Sequence, residues 1–203
     1  MIGCRSIRSN GKEVTAVRFY QIGHQEVPGT RLYSIEGTST GVAVDPWRFF
    51  NGERVPDIPG LGLSVRNPGR QVDFGFTGST PIVRRWVGEV LESLAPNSVQ
   101  RISTTVRGEL PGDDEVEVLN IVERRRCVDA RRSNVWEWTE RDKQRGRREG
   151  YKAIWELYVH ASALEDVNLC RVGEYPVVAI AAEAVYDEMM RRETSGIRFR
   201  LCS

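Results

Sequence analysis

Residues able to do acid–base, nucleophilic or metal chemistry are few and scattered in this chain. Among its 203 residues are two histidines, His24 and His160, and four cysteines, Cys4, Cys127, Cys170 and Cys202. The spacings that signal a metal site, a Cys-x-x-Cys or His-Glu-x-x-His pair, are absent. So is a Gly-x-Ser-x-Gly elbow for a serine nucleophile. The four thiols are far apart in sequence and read as reduced, with no disulfide framework. His24 stands beside a Pro28–Gly29 turn and reads as an exposed loop residue; His160 closes a strand. Gly60, Gly62 and Gly69 lie in turns and are not followed by Lys-Ser or Lys-Thr and a helix, so no phosphate-cradling loop and no cofactor is expected. The catalytic option left is a carboxylate-only hydrolase, with Asp45, Asp73, Asp129 and Glu183 converging in space. The expectation set against it is that the chain is not an enzyme.

A second chemistry is recognition. Within Ser133 to Gly150, Trp136 and Trp138 stand beside Arg141, Lys143, Arg145, Arg147 and Arg148, opposed by Asp142 and Glu149. Tryptophan and arginine are enriched at binding hot spots, so these seven residues are the candidates for contact with a partner. A solvated loop is the plain alternative. The alternative use of the stretch 141–148 is a nucleic-acid-binding module, disfavoured because 29 Lys and Arg against 28 Asp and Glu give a net charge of +1 and no global case for nucleic acid or an anionic membrane. No run of about 18 apolar residues marks a membrane span and the N-terminus lacks an apolar signal core, so the expected location is the cytoplasm.

The elements that must position these groups follow from periodicity. Val72, Phe74 and Phe76 alternate as a half-buried strand. Thr80 and Pro81 then have the form of an N-cap and a first helical residue, and Ile82, Val83, Trp86, Val87, Val90, Leu91 and Leu94 make one apolar stripe, predicting a helix over 81–95. A second helix is predicted over 183–193. Strands are expected at 16–22, 31–35, 61–65, 99–106, 115–122, 151–160, 177–181 and 197–201, with Pro111-Gly112 turning a hairpin between two of them. In 151–160, alternation would place Ala153, Trp155, Leu157 and Val159 on one face. Asp45 to Phe50 (DPWRFF) reads as a loop plugged by Trp47. Residues 1–15 read as a loose N-terminal arm before one domain, 16–203. Many strands with two principal helices and no β-α-β rhythm give an α+β domain with a mainly antiparallel sheet.

The order of several short motifs resembles one bacterial family, the immunity proteins of polymorphic toxin systems first described in myxobacteria, formerly a domain of unknown function. The resemblance runs from about Val17 to the end. It rests on Asp45-Pro46-Trp47 with Phe49 and Gly52, Asn67-Pro68-Gly69-Arg70 leading to Asp73-Phe74, and Leu94-Ala95-Pro96 with Val99-Gln100. It continues in Cys127-Val128-Asp129 with Ser133 and in the tail Gly196 to Phe199. The chain departs from the family at Ala181-Ala182-Glu183, where a hydroxyl cap is replaced by alanine. What the resemblance implies is a stoichiometric inhibitor that binds a cognate protein toxin and occludes its active surface, with no turnover and no cofactor. In that reading Trp47, Arg70 and Asp73 belong to the scaffold. The oligomeric state is open.

Overall fold

Alternating and helical apolar patterns sort themselves into two sheets, a two-stranded ribbon and a shared core. The structure, a computed structural model, describes residues 17–38, 44–45, 47–56, 58, 60–107, 115–144 and 150–202, without the side chains of Trp47 and Lys143. The expected arm, the Pro111-Gly112 turn and Cys4 lie outside these residues. The six-stranded sheet contains β2 (Leu32–Thr38), β3 (Leu61–Asn67), β4 (Phe74–Thr77), β5 (Thr80–Arg84), β6 (Val99–Arg107) and β7 (Val116–Ile121), in the order β2-β3-β6-β7-β5-β4. The five-stranded sheet contains β1 (Phe19–His24), β8 (Arg124–Arg125), β11 (Leu169–Val172), β12 (Ala179–Ala182) and β13 (Ile197–Leu201), in the order β13-β1-β12-β11-β8. β9 (Asn134–Glu137) and β10 (Tyr151–Glu156) form the ribbon. Helices are α1 (Trp47–Phe50), α2 (Arg85–Leu94), α3 (Glu140–Gln144) and α4 (Glu183–Arg191). Pairing is antiparallel except for β3 with β6 and β8 with β11. The fold is α+β and dominated by sheet.

The two longer helices occupy equivalent places. β5 and β6 flank β7, each antiparallel to it, and α2 joins them. In the other sheet β12 and β13 flank β1 in the same way, and α4 joins them. Each unit is a split β-α-β, a repetition of topology that leaves no repeat in the sequence. Both helices are amphipathic and turn their apolar stripes inward. Val87 and Leu91 of α2 and Val185 and Met189 of α4 meet Phe74, Val83, Leu119, Leu169, Ala181 and Ile197 in one core. Burying each such side chain fully contributes about 1.5–3 kcal/mol.

The six-stranded sheet also curls toward closure. Its edge strands β2 and β4 approach each other. Ahead of β4, Arg70 N–H donates to the Gly29 carbonyl (2.6 Å) and Arg31 N–H to the Arg70 carbonyl (2.7 Å). A Cβ on Gly69 would stand 1.8 Å from the Gly29 oxygen, so only glycine permits this approach, and Asn67 Nδ2 donates to the Thr30 carbonyl (2.9 Å). The Asn-Pro-Gly-Arg motif is therefore a seam. Inside the curl Tyr33, Leu61, Leu63, Ile102 and Val118 pack around Phe49.

Several sequence expectations are corrected here. The helix predicted over 81–95 begins at Arg85, because Thr80 to Arg84 form a strand paired with β4 and β7. Ile82 and Val83 are β-branched and suit a strand, and Pro81 precedes the first β7 pair, Ile82 with Val118, so its missing N–H breaks nothing there. Arg84 takes the N-cap position without a side-chain cap bond. The second helix, expected over 183–193, runs Glu183–Arg191, and its N-cap Ala182 makes no side-chain bond, as the loss of a hydroxyl there implies. On its exposed face Glu188 binds both Arg191 and Arg192. The plug of the 45–50 segment is Phe49, fully buried in a one-turn helix, and the Trp47 side chain is outside the described set. Leu169–Val172, outside the strands expected from the sequence, is a strand.

That strand carries the largest fully buried side chain among the described residues, Arg171. Its guanidinium has no carboxylate partner among its hydrogen bonds. It donates through Nε to the Ile121 carbonyl (3.0 Å), through Nη1 to Pro176 O (2.8 Å) and through both terminal nitrogens to Ser79 O (3.5 and 3.4 Å). Burial, then the neighbouring Arg124 charge, holds its pKa down, to about 10. Arg171 thus ties β11, the end of β7 and the β4–β5 turn together by fork geometry.

Candidate functional site

The described part of the candidate segment, 133–144, does not form a plain solvated loop. Ser133 opens the segment by exchanging hydrogen bonds with the Tyr158 backbone: its Oγ donates to Tyr158 O (3.1 Å) and accepts from Tyr158 N–H (2.9 Å). Asp129 Oδ1 accepts from Arg131 N–H and Arg132 N–H, at 3.1 and 3.3 Å, which fixes the preceding turn. The Cys-Val-Asp and Ser motif is thus the base of the β9–β10 ribbon. α3 follows, capped by Thr139: Asp142 N–H donates to the Thr139 hydroxyl (3.2 Å), and the Asp142 carboxylate accepts from Thr139 N–H (3.2 Å) and Oγ1 (2.8 Å). Such reciprocal bonds satisfy orphan donors at a helix start.

Two register shifts decide what the ribbon presents. Tyr151 pairs with Glu137, Ala153 with Trp136, Ile154 with Val135 and Glu156 with Asn134. Lys152 and Trp155 are the extra residues, each facing no partner on β9. A bulge breaks strand alternation and re-aims the side chains that follow. Val135, Tyr151 and Ile154 pack inward on the core of Phe19, Cys127, Leu157, Cys170 and Cys202. Lys152 and Trp155 turn outward, and this corrects the expectation that Trp155 shares a buried face with Leu157 and Val159.

The outward face is aromatic and cationic. Trp136 and Trp155 stack with ring centres 5.7 Å apart and planes 16° off parallel. They remain 47% and 58% exposed. Lys152 Nζ lies 4.4 Å from the Trp136 ring centre and 5.8 Å from that of Trp138, and 3.8 Å from Asp142 Oδ2. A desolvated cation over tryptophan is worth up to about 2 kcal/mol, and less in the open. Arg141 is exposed on α3; the Lys143 side chain and Arg145, Arg147 and Arg148 lie outside the described residues. The structure therefore brings Trp136 and Trp138 together around Lys152 and adds Trp155. Sequence reading missed Trp155 and Lys152 because it applied an unbroken two-residue period to 151–160.

Three of the four carboxylates proposed for a hydrolase, those of Asp73, Asp129 and Glu183, are engaged at separate places. Asp73 accepts from Ser195 Oγ (2.6 Å) and N–H (2.9 Å). Glu183 pairs with Arg18 at the opposite end of α4, and Asp129 caps its turn. Among the described residues no group of three or more His, Cys, Asp or Glu could hold a metal ion. His24 differs from expectation: it is half-buried at the end of β1, edge-on to Phe76 at 6.2 Å. Cys127, Cys170 and Cys202 are free thiols buried in one cluster, and burial pushes Cys127 and Cys202 up to about 12.

No family model and no curated protein matches the chain. Among the described residues no helix is long and apolar enough to cross a membrane. The patch is described by its own geometry.

Proposed function

We propose that the protein is an immunity protein, a stoichiometric inhibitor that docks on a cognate bacterial toxin through the outward face of the β9–β10 ribbon and occludes the toxin's working surface. The observation that carries this reading is the Trp136–Trp155 stack, exposed beside two bulges with Lys152 over the Trp136 ring. Large rigid aromatics beside a cation are the residues that dominate protein–protein binding, and pre-ordering them reduces the entropy lost on docking. The ordered motifs of the resemblance support the same reading. Residues 131–152 hold eight Lys and Arg against four Asp and Glu, in a chain of net charge +1, which favours an acidic toxin face.

The test is co-expression with the toxin-like product of a neighbouring gene, scoring growth rescue and co-purification. Wild type rescues and forms a complex. Trp136→Ala with Trp155→Ala loses both while its circular dichroism is unchanged, since hot-spot tryptophans each contribute about 2 kcal/mol or more. A variant neutralising Arg145, Arg147 and Arg148 binds more weakly and with less salt dependence. Tight binding by the double tryptophan variant removes the ribbon from the account. No rescue and no complex with a toxin of demonstrated activity removes the immunity reading, and steeply salt-dependent binding to generic RNA or DNA would then favour a nucleic-acid module.

A further inference from the structure

A second surface lies at the free edge of the five-stranded sheet. Among the described residues β13 pairs only with β1. Its hydrogen-bonding phase is fixed at both ends, where Gln25 N–H donates to Gly196 O (3.0 Å) and Cys202 N–H to Phe19 O (2.9 Å). In an antiparallel pair the bonded positions alternate with positions whose N–H and C=O point away from the partner. The register Tyr20 with Leu201, Ile22 with Phe199 and His24 with Ile197 places those three β13 residues in the second set. Phe199 and Leu201 therefore offer N–H and C=O groups outward, along the edge.

The side chains beside this edge form two rows. On the α4 side Tyr186 stands edge-on to Phe199 (5.2 Å) and stacks on Tyr20 (4.2 Å). Met190, one turn further along α4, and Leu201 are 53% and 52% exposed. Helix and edge strand thus both leave apolar surface exposed on this side of the sheet. On the opposite side of the sheet Arg198 and Arg200 are exposed, with Arg200 Nη1 donating to Trp155 O (3.2 Å) and Nη2 in a loose, solvent-exposed pair with Glu156 (3.8 Å) that an acidic guest would compete with.

We infer that the β13 edge is a strand-addition site that takes an extended segment of a partner protein in which acidic and apolar residues alternate. The apolar side chains rest on Tyr186, Met190, Phe199 and Leu201, the acids meet Arg198 and Arg200, and the backbone pairs with Phe199 and Leu201. Alternation in β13 dictates alternation in the guest. A second copy of this chain is a poorer guest. Antiparallel self-pairing centred on Phe199 sets Arg198 of one copy against Arg200 of the other, and like charges directly opposite are destabilising. The site adjoins the tryptophan patch through Arg200 and does not depend on the toxin reading.

The probe is an acetylated, amidated hexapeptide alternating glutamate and valine, compared with the same peptide carrying lysine for glutamate. Binding is followed by calorimetry and by amide hydrogen exchange of the intact protein. The glutamate peptide binds roughly tenfold or more tightly than the lysine peptide and slows exchange at Phe199 and Leu201. Leu201→Pro removes an outward N–H only, a change an edge strand tolerates, and abolishes binding. Arg198→Glu with Arg200→Glu inverts the peptide preference, which keeps the test valid if the proline variant does not fold. Absence of binding, binding without charge preference, or binding without protection of the two amides overturns the proposal. So does self-association that Leu201→Pro abolishes, which would make the guest a second copy.

Discussion

Replacing Gly88 by alanine tests the buried charge beneath α2. Glycine is a poor helix former, and in an open helix this substitution adds about 1 kcal/mol of stability. At Gly88 the added Cβ would stand 1.7 Å from Glu117 Oε1 and 2.9 Å from its Cδ. Glu117, on β7, is only 5% exposed, and its carboxylate accepts from Arg101 Nε (2.7 Å) and Nη2 (3.1 Å). Burial raises the Glu117 pKa, while the Arg101 fork opposes that rise; the paired, ionised form is the one this bidentate geometry serves. The methyl group must swing the carboxylate off the fork. Breaking a buried pair costs about 3–5 kcal/mol, and the lower end applies because Arg101 keeps Glu92 at 3.1 Å. The net loss is about 2 kcal/mol, or a fall in melting temperature of about 4–8 °C for a chain of this size. In a Glu117→Ala background the obstacle is gone, and the same Gly88→Ala change raises stability by about 1 kcal/mol. Urea titrations of the four proteins give the coupling, about 3 kcal/mol. An effect of the same sign in both backgrounds would refute the reasoning.

Arg171→Lys keeps the charge but loses the fork that serves three carbonyls; it lowers stability by about 2–4 kcal/mol by urea titration, far more than a surface exchange. In a Cys4→Ser background Cys127, Cys170 and Cys202 stay inert to a thiol reagent at pH 8 in the native state, and all three react once denaturant is added. Glu188 is held down to about 2 by hydrogen bonds from Arg191 and then Arg192, below its unfolded value of about 4.3. The unfolded chain therefore binds more protons between those values, and this contribution is full above about pH 5 and is lost as pH falls toward 2. Glu188→Gln flattens that limb of the urea midpoint against pH, and an unchanged slope would count against the pairing.

Local physics in the chain was enough to determine the α+β class, the final helix and strand, the antiparallel β6–β7 pair, and the glycine turns. Each rests on a period several residues long or on a residue type with one conformational use. Gly196, at φ +84 with Phe74 O 2.3 Å from a would-be Cβ, is such a case. The start of α2 was not legible, because Ile82 and Val83 satisfy both a helical stripe and a strand, and only pairing with β4 and β7 settles it. The site was half legible. Trp136 and Trp138 announce themselves by type, but Trp155 and Lys152 join them only because β9 is shorter than the stretch of β10 it pairs with, so that two residues bulge outward. Arg171 and the outward-facing β13 edge are likewise decided by segments remote in sequence. Whether a charge finds carbonyls, and whether a strand keeps a free side, are properties of its neighbours in space, which tertiary structure alone supplies.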